Sequence, residues 1–263
     1  MLIDTHCHCH LHSSRFKKDL RDVVTRAVDA GVTQMVAVGC DVETSRQALA
    51  IAEAHPEVFA TVGVHPCYVM EVTQADWLEQ IQELAQHPRV VALGEMGLDY
   101  YHAPPEGTTW ETYKSSQAEF FRKQMDLAVS LRKNIVVHQR NSLADAVTMV
   151  SEYTGRLSAQ FHCFIDPWVH ARPLIAQGHV ISFTGIATYP QAPEVLQCAV
   201  EATAGSFMLE TDSPYLTPQA KRGQRCEPAF VRITAETIAA ARGVTLEVLA
   251  AETTQRARDF FGI

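Results

Sequence analysis

Near its start the chain reads Leu2-Ile3-Asp4-Thr5-His6-Cys7-His8-Cys9-His10. A strand repeats its side-chain direction every second residue, so His6, His8 and His10 share one face and Thr5, Cys7 and Cys9 the other. Two imidazoles on one face, one residue apart, can hold a divalent ion from the end of a strand. His6 and His8 are the expected pair, whereas His10 falls past the strand end. The apolar residues and aspartate before the histidines mark a buried strand rather than a histidine tag. Cys7, Cys9, His10 and His12 do not read as a structural zinc knot. No second cysteine pair follows at finger or ribbon spacing, and the alternation turns the thiols away from the imidazoles.

Further along, metal-binding and polar side chains recur where apolar runs end. They are Gly63-Val64-His65-Pro66, Gly94-Glu95-Met96-Gly97-Leu98-Asp99, His138-Gln139-Arg140, His162-Cys163-Phe164 and Glu210-Thr211-Asp212-Ser213-Pro214. With His6 and His8, this donor set suits two divalent ions: zinc, manganese or iron, with magnesium admitted by the carboxylates. Two close cations need an anionic bridge, and Glu95 is the best candidate. A water shared by the pair is a nucleophile at neutral pH. Asp212 is placed to bind one ion and to take that water's proton. Glu210, two residues earlier on the same strand face, can orient a ligand. Arg140 suits bidentate phosphate binding, and His65 suits hydrogen bonding to substrate. Tyr100 and Tyr101 follow Asp99 on a loop where tyrosines can stack on a base. His55, His87, His102, His170 and His179 receive no role.

The elements that must position these groups alternate along the chain. Strands are expected at Leu2–His6, Met35–Val38, Phe59–Val64, Val90–Leu93, Ile135–Val137, Leu157–Phe161, Val180–Phe183 and Phe207–Leu209. Helices are expected between them: from an Asp19 cap to Gly31, then Thr44–His55, Gln74–His87, Ser116–Arg132, Leu143–Tyr153, His170–Gln177 and Pro193–Ala202. Two more close the chain, Pro228–Arg242 and Thr245–Phe261. Apolar residues at three- and four-residue spacing, Gly and Pro stops and short apolar runs carry these assignments. Eight strands alternating with helices imply parallel pairing through right-handed crossovers. Eight units in this length suit an α/β fold of the closed TIM, or (β/α)8, barrel type, built as one domain over residues 1–263. An open doubly wound sheet is the rival, but no Gly-x-Gly-x-x-Gly follows the first strand. In a barrel, active sites form at the C-terminal ends of the strands, where the quoted motifs lie.

Composition narrows the function classes. The chain has 263 residues, 47% of them hydrophobic, enough for a sizeable core. A formal charge of −8 disfavours binding nucleic acid by bulk charge, though not a phosphate held locally at bound cations. No apolar run approaches a membrane span, and the start lacks the pattern of a signal peptide. Seven scattered cysteines suit reduced thiols in the cytoplasm better than a disulfide framework. No obligate protein partner is evident.

The ordered set Asp4-Thr5-His6-Cys7-His8, Gly63-Val64-His65-Pro66, Gly94 to Tyr101, Val137 to Arg140, His162-Cys163-Phe164 and Glu210 to Leu216, followed by Arg222-Gly223 and Glu227-Pro228, resembles the signatures of the TatD family of metal-dependent hydrolases. The resemblance runs from about Ile3 to Phe261. It implies an amidohydrolase-type TIM barrel and deoxyribonuclease activity, exonucleolytic (3'-5') on single-stranded DNA. By the same resemblance His6, His8, Glu95 and Asp212 hold one ion, and Glu95, His138 and His162 the other. His65 and Arg140 lie near substrate phosphate, and Arg222 on a loop beyond strand eight. Three departures concern the pocket: Ile165-Asp166 stands where the family often has Thr-Gly, Cys226 where it often has Asn, and Cys9-His10-Leu11-His12 follows the second histidine. The rival enzyme class is hydrolysis of an amide, lactone or other ester of a small molecule. Relatives of that class often bridge their metals with a carbamylated lysine, and no lysine lies on strands three to five.

Overall fold

A computed structural model describes residues 1–9, 16 and 19–263; His10 and His12 lie outside them. Eight strands form one sheet: β1 (Leu2–Cys7), β2 (Val32–Val38), β3 (Val58–Val62), β4 (Val90–Asp99), β5 (Ile135–Arg140), β6 (Ala159–Phe161), β7 (Val180–Phe183) and β8 (Phe207–Leu209). They neighbour one another in sequence order and every recorded pairing is parallel. The helices are α1 (Leu20–Asp29), α2 (Val42–Ala54), α3 (Trp77–Ala85), α4 (Trp110–Leu131), α5 (Leu143–Ser151), α6 (Trp168–Ala176), α7 (Pro193–Glu201), α8 (Val231–Arg242) and α9 (Leu246–Phe261). This is the expected TIM barrel.

The ring is closed by the residues just past β8. Cys7 bridges Ser213 in parallel register. The His8 amide donates to the Ser213 carbonyl at 2.7 Å, and the Asp212 amide to the His6 carbonyl at 2.9 Å. The closing seam therefore sets Asp212 beside the two N-terminal histidines. One buried apolar cluster gathers Ile3, Val36, Ala92, Val136, Val180 and Met208 from six strands, and Phe260 and Phe261 of α9 pack against it. A larger cluster fills the layer between strands and helices.

Most element bounds shift by a few residues from the sequence expectation, and three departures matter most. β4 continues six residues past Leu93, through both glycines to Asp99. α4 begins at Trp110 rather than Ser116, with the Thr109 hydroxyl accepting the Thr112 amide. Asp19 does stand at the N-cap of α1, but its carboxylate makes no capping bond. Arg225 takes both of its oxygens instead, at 2.9 and 2.6 Å.

Candidate metal centre at the barrel rim

The extension of β4 exists to place Glu95. Leu93 pairs with Ile135 and Met96 with Val137, so β4 carries one residue more than β5 over the same span. That bulge is made at Gly94, whose φ is +132°. Gly97 has φ +142°, and a Cβ there would lie 2.0 Å from the His138 carbonyl oxygen. No other residue type fits so close a backbone approach. The expected strand ends with its apolar run at Leu93, and glycine usually weakens a strand; here Gly94 kinks it and keeps it paired.

Glu95 is buried, and five imidazoles face it. His138 Nδ1 and His162 Nε2 lie 2.9 Å from Oε1, and His65 Nε2 lies 3.4 Å from it. His6 Nε2 is 3.4 Å and His8 Nε2 3.7 Å from Oε2. The second carboxylate, Asp212, puts Oδ1 3.2 Å from His8 Nε2 and 3.8 Å from His6 Nε2. The backbone of Asp212 is left-handed, with φ +55°, a conformation aspartate tolerates better than most residues. His6 and His8 face each other at 3.3 Å through their Nε2 atoms, while Cys7 and Cys9 meet at 3.4 Å on the opposite face. The alternation of the first strand is realised as expected.

The electrostatics show what such a cluster lacks. Burial raises the Glu95 carboxyl, but His162, His65 and His6 more than reverse this and hold it well below its usual range. Asp212 is likewise held low against burial, by its bond to His8. Burial pulls His162 down, yet Glu95 and Glu210 push it up to about 10. His138 and His8 are raised as well, while burial lowers His6. Left to itself the cluster must recruit protons onto imidazoles to balance its buried acids. Cations do the same balancing with the nitrogen lone pairs free to ligate. Trios of donors that could share one ion include His6, His8 and Asp212, and His6, Glu95 and His162. The donor chemistry fits divalent metal.

The outer partners of these rings fix their orientation. His138 turns Nδ1 to Glu95 and Nε2 to Asp99 Oδ2, the latter at 2.9 Å. Asp99 is itself held: the Tyr101 and His102 amides donate to Oδ1, and Gln117 of α4 bonds its backbone on both sides. Gln124, two turns along α4, does the same for Val64 beside His65. Glu210 accepts from the Cys163 amide, the Ser182 hydroxyl and Gln160, and its Oε1 lies 3.5 Å from His162 Nδ1. His65 Nδ1 accepts the Cys67 amide, so in the neutral ring the proton sits on Nε2. Burial holds this ring down to about 4. A ring in that tautomer donates a hydrogen bond from the atom facing Glu95 rather than ligating with it.

The cluster forms the floor of a cavity of about 740 Å³. Arg140, from the end of β5, stands on its wall and stacks 3.7 Å over the Tyr101 ring. Among the described lining residues Arg140 is the only arginine or lysine. Tyr100 is elsewhere: its hydroxyl bonds Asp145 at 2.9 Å and Lys114 covers its ring at 4.0 Å. Arg222 is exposed and lies over Tyr189, 4.8 Å from the ring centre, off the lining. Ile165 is exposed, Asp166 accepts from Gln139, and Cys226 is buried beside Pro214. Sequence reading passed over Cys40, Tyr68 and Tyr215, which line the cavity, and the positioning role of Asp99. Cys40 ends its own apolar run, so position alone could have marked it. Nothing in the local sequence marks the two tyrosines.

Comparison with known proteins now bears on this site. A family model described as TatD related DNase matches residues 3–262. The metal-dependent hydrolase YabD of Bacillus subtilis is 35% identical over 265 residues, covering all of both chains. The 3'-5' ssDNA/RNA exonuclease TatD of Escherichia fergusonii is 32% identical over 263 residues and 97% of each chain. Among solved structures, the TatD homologue YJJV of Escherichia coli K12 superimposes with a TM-score of 0.89 at 24% identity, over 100% of this chain and 98% of that one. An organophosphorus hydrolase of Deinococcus radiodurans shares the fold at a TM-score of 0.62 and 15% identity, over 99% of this chain and 93% of that one. The chain belongs to the TatD family and is a metal-dependent hydrolase.

Proposed function

We propose that this TatD-family hydrolase cleaves phosphodiester bonds of single-stranded DNA, removing nucleotides from the 3' end, with two divalent ions of the zinc, magnesium or manganese class. The observation that carries the reading is the buried Glu95 carboxylate, reached from both of its oxygens by four imidazoles from three strands or their ends, β1, β5 and β6. In it, His6, His8, Glu95 and Asp212 hold one ion, and Glu95, His138 and His162 the other. Bound divalent ions supply charge stabilisation at a phosphoryl oxygen and a water of lowered pKa.

The chain's own groups do the rest. Asp212, ionised and 3.2 Å from His8, accepts the proton of the attacking water. Glu95 bridges the two halves of the cluster. Asp99 and Glu210 fix the ring planes of His138 and His162. Arg140 supplies a planar fork to the phosphate on the cavity wall. His65, protonated at Nε2, exchanges its long contact to Glu95 for a hydrogen bond donated to the same group. Tyr68 and Tyr215 offer faces for a terminal base, the role expected of Tyr100. Arg222, beyond the lining, meets the strand outside the cavity. The name of the Escherichia fergusonii relative supports a nucleic-acid substrate. Seven free thiols support a reducing, cytoplasmic setting. No helix among the described residues is long and apolar enough to cross a membrane.

Labelled single-stranded oligonucleotide, offered with each metal in turn, tests the reading. Release of mononucleotides from the 3' end is the expected result. Turnover of small-molecule lactones or amides without any nucleotide release would replace it with the amidohydrolase reading.

A further inference from the structure

One group of metal-ligating side chains takes no direct part in that reaction. Cys67 lies in the short 3₁₀ turn after β3, Asp99 ends β4, and His102 sits on the loop beyond it. A sulfur, a carboxylate oxygen and a ring nitrogen from these three lie within 4.8 Å of one another. His102 Nδ1 is 3.7 Å from Cys67 Sγ and 2.9 Å from Asp99 Oδ2. Tetrahedral zinc with its usual bond lengths sets a sulfur and an imidazole nitrogen ~3.5 Å apart, and a nitrogen and an oxygen ~3.3 Å apart. The first spacing is already met, and the second needs His102, half exposed, to move a few tenths of an ångström. Asp99 needs no movement. Its Oδ1 is occupied by two backbone amides, and its Oδ2 faces both His102 Nδ1 and His138 Nε2, each at 2.9 Å, so one lone pair is turned to the group while the other orients His138. Cys67 and His102 both line the cavity, so a fourth coordination position opens into it.

We propose that Cys67, Asp99 and His102 form a further divalent-metal site, of the zinc class, on the cavity wall. It is separate from the ions assigned around Glu95 and does not depend on what those ions hydrolyse. One thiolate, one imidazole and one carboxylate select zinc or cobalt over magnesium. As the metal–sulfur bond forms, the Cys67 thiol gives its proton to solvent. Three protein ligands with an open fourth position is the pattern of a site that accepts water or a substrate oxygen.

Cobalt(II) is the probe, because a cobalt–thiolate bond gives a near-ultraviolet charge-transfer band that imidazole and carboxylate ligands do not. Cobalt is titrated into the chain as purified and after chelation, with metal counted by mass spectrometry. The expected result is a charge-transfer band that saturates with one metal equivalent beyond those of the Glu95 cluster. Cys67→Ser loses both the band and that equivalent. His102→Gln, changed at an exposed ring, keeps the fold by circular dichroism and binds the last cobalt at least tenfold more weakly. Cys40→Ser keeps the band, although Cys40 Sγ lies 3.7 Å from His8 Nδ1 and 3.8 Å from Glu95 Oε2. No band in the parent chain, or a band kept in Cys67→Ser and lost in Cys40→Ser, overturns the proposal. The readout is binding, so a chain that cleaves no DNA can still show this site, and one that cleaves DNA can lack it.

Discussion

Single residues of the site divide into groups that meet the substrate and groups that aim them. Asp212 is placed to take a proton from water, and Asp212→Asn keeps its shape while removing that capacity. The expected loss is about 10²–10⁴-fold in turnover, read as nucleotide release under saturating metal; an unchanged rate denies Asp212 the role. Asp99 acts through His138, so Asp99→Asn should weaken metal binding at the Glu95 cluster by about 10–100-fold. Isothermal titration of the metal-free chain with magnesium, which the Cys67 group does not select, measures that, and unaltered affinity would deny Asp99 a part in positioning His138. The ligand candidates His6, His8, Glu95, His138, His162 and Asp212 were all legible because each ends or follows an apolar run. Tyr100 shows the limit of that logic. It follows the strand-four motif as closely as Tyr101 does, yet its hydroxyl turns to Asp145 and its face to Lys114. Which side of the rim a loop residue faces is settled by tertiary neighbours, not by its distance from a strand.

Elements set the precision of the site. β4 and α4 were the two that sequence patterning misjudged most, and they do most of the positioning. Glycine in a strand is read as a stop, because it packs nothing and costs entropy. In β4 the glycines allow the bulge that brings Glu95 inward and let His138 approach the strand. Gly97→Ala meets the His138 carbonyl and a φ of +142°. The backbone alone should cost about 1–3 kcal/mol, with Tm falling roughly 2–4 °C per kcal/mol in a chain of this size. Thermal melts check this, and an unshifted Tm would mean β4 gives way at Gly97 without cost. α4 shows the complementary lesson. Gln117 and Gln124 sit on its buried face among apolar residues, where their amides hold the backbone of Asp99 at the end of β4 and of Val64 just past β3. Periodicity found the helix and its buried face; it could not tell that two polar positions on that face serve the site.

Across the whole molecule, the closed barrel was readable from eight alternating units, but the residues that make its seam were not, since the seam runs through irregular backbone after β8. An ion network beside that seam ties α1 to the same region. Arg225 bonds Asp19 and Glu227, and Arg26 bonds Glu227 at 2.7 and 2.9 Å. Arg225, above all, holds the Asp19 carboxyl low. Burial raises Glu227, but Arg26 and Arg225 outweigh it and the net shift is downward. Folded values below the unfolded ones mean that this stabilisation is complete above the ordinary carboxylate range and is lost as pH falls through the folded values. A chain carrying Asp19→Asn and Glu227→Gln should therefore lose less Tm than the parent between about pH 5 and pH 3; parallel curves would assign the network no such part. Net charge speaks to the substrate. With −8 overall and Arg140 alone among arginines and lysines on the described cavity wall, few counterions are displaced on binding. The slope of log affinity against log salt for single strands should be shallow, about −0.7 to −1.4 for one or two phosphates, and a much steeper slope would point to a basic track elsewhere. The most direct test of the central claim is nucleotide release from a 3'-labelled single strand before chelation, after it, and after metal is returned. Metal-dependent hydrolysis requires release, its abolition, and its recovery with zinc, magnesium or manganese; cleavage that survives complete removal of metal would overturn it.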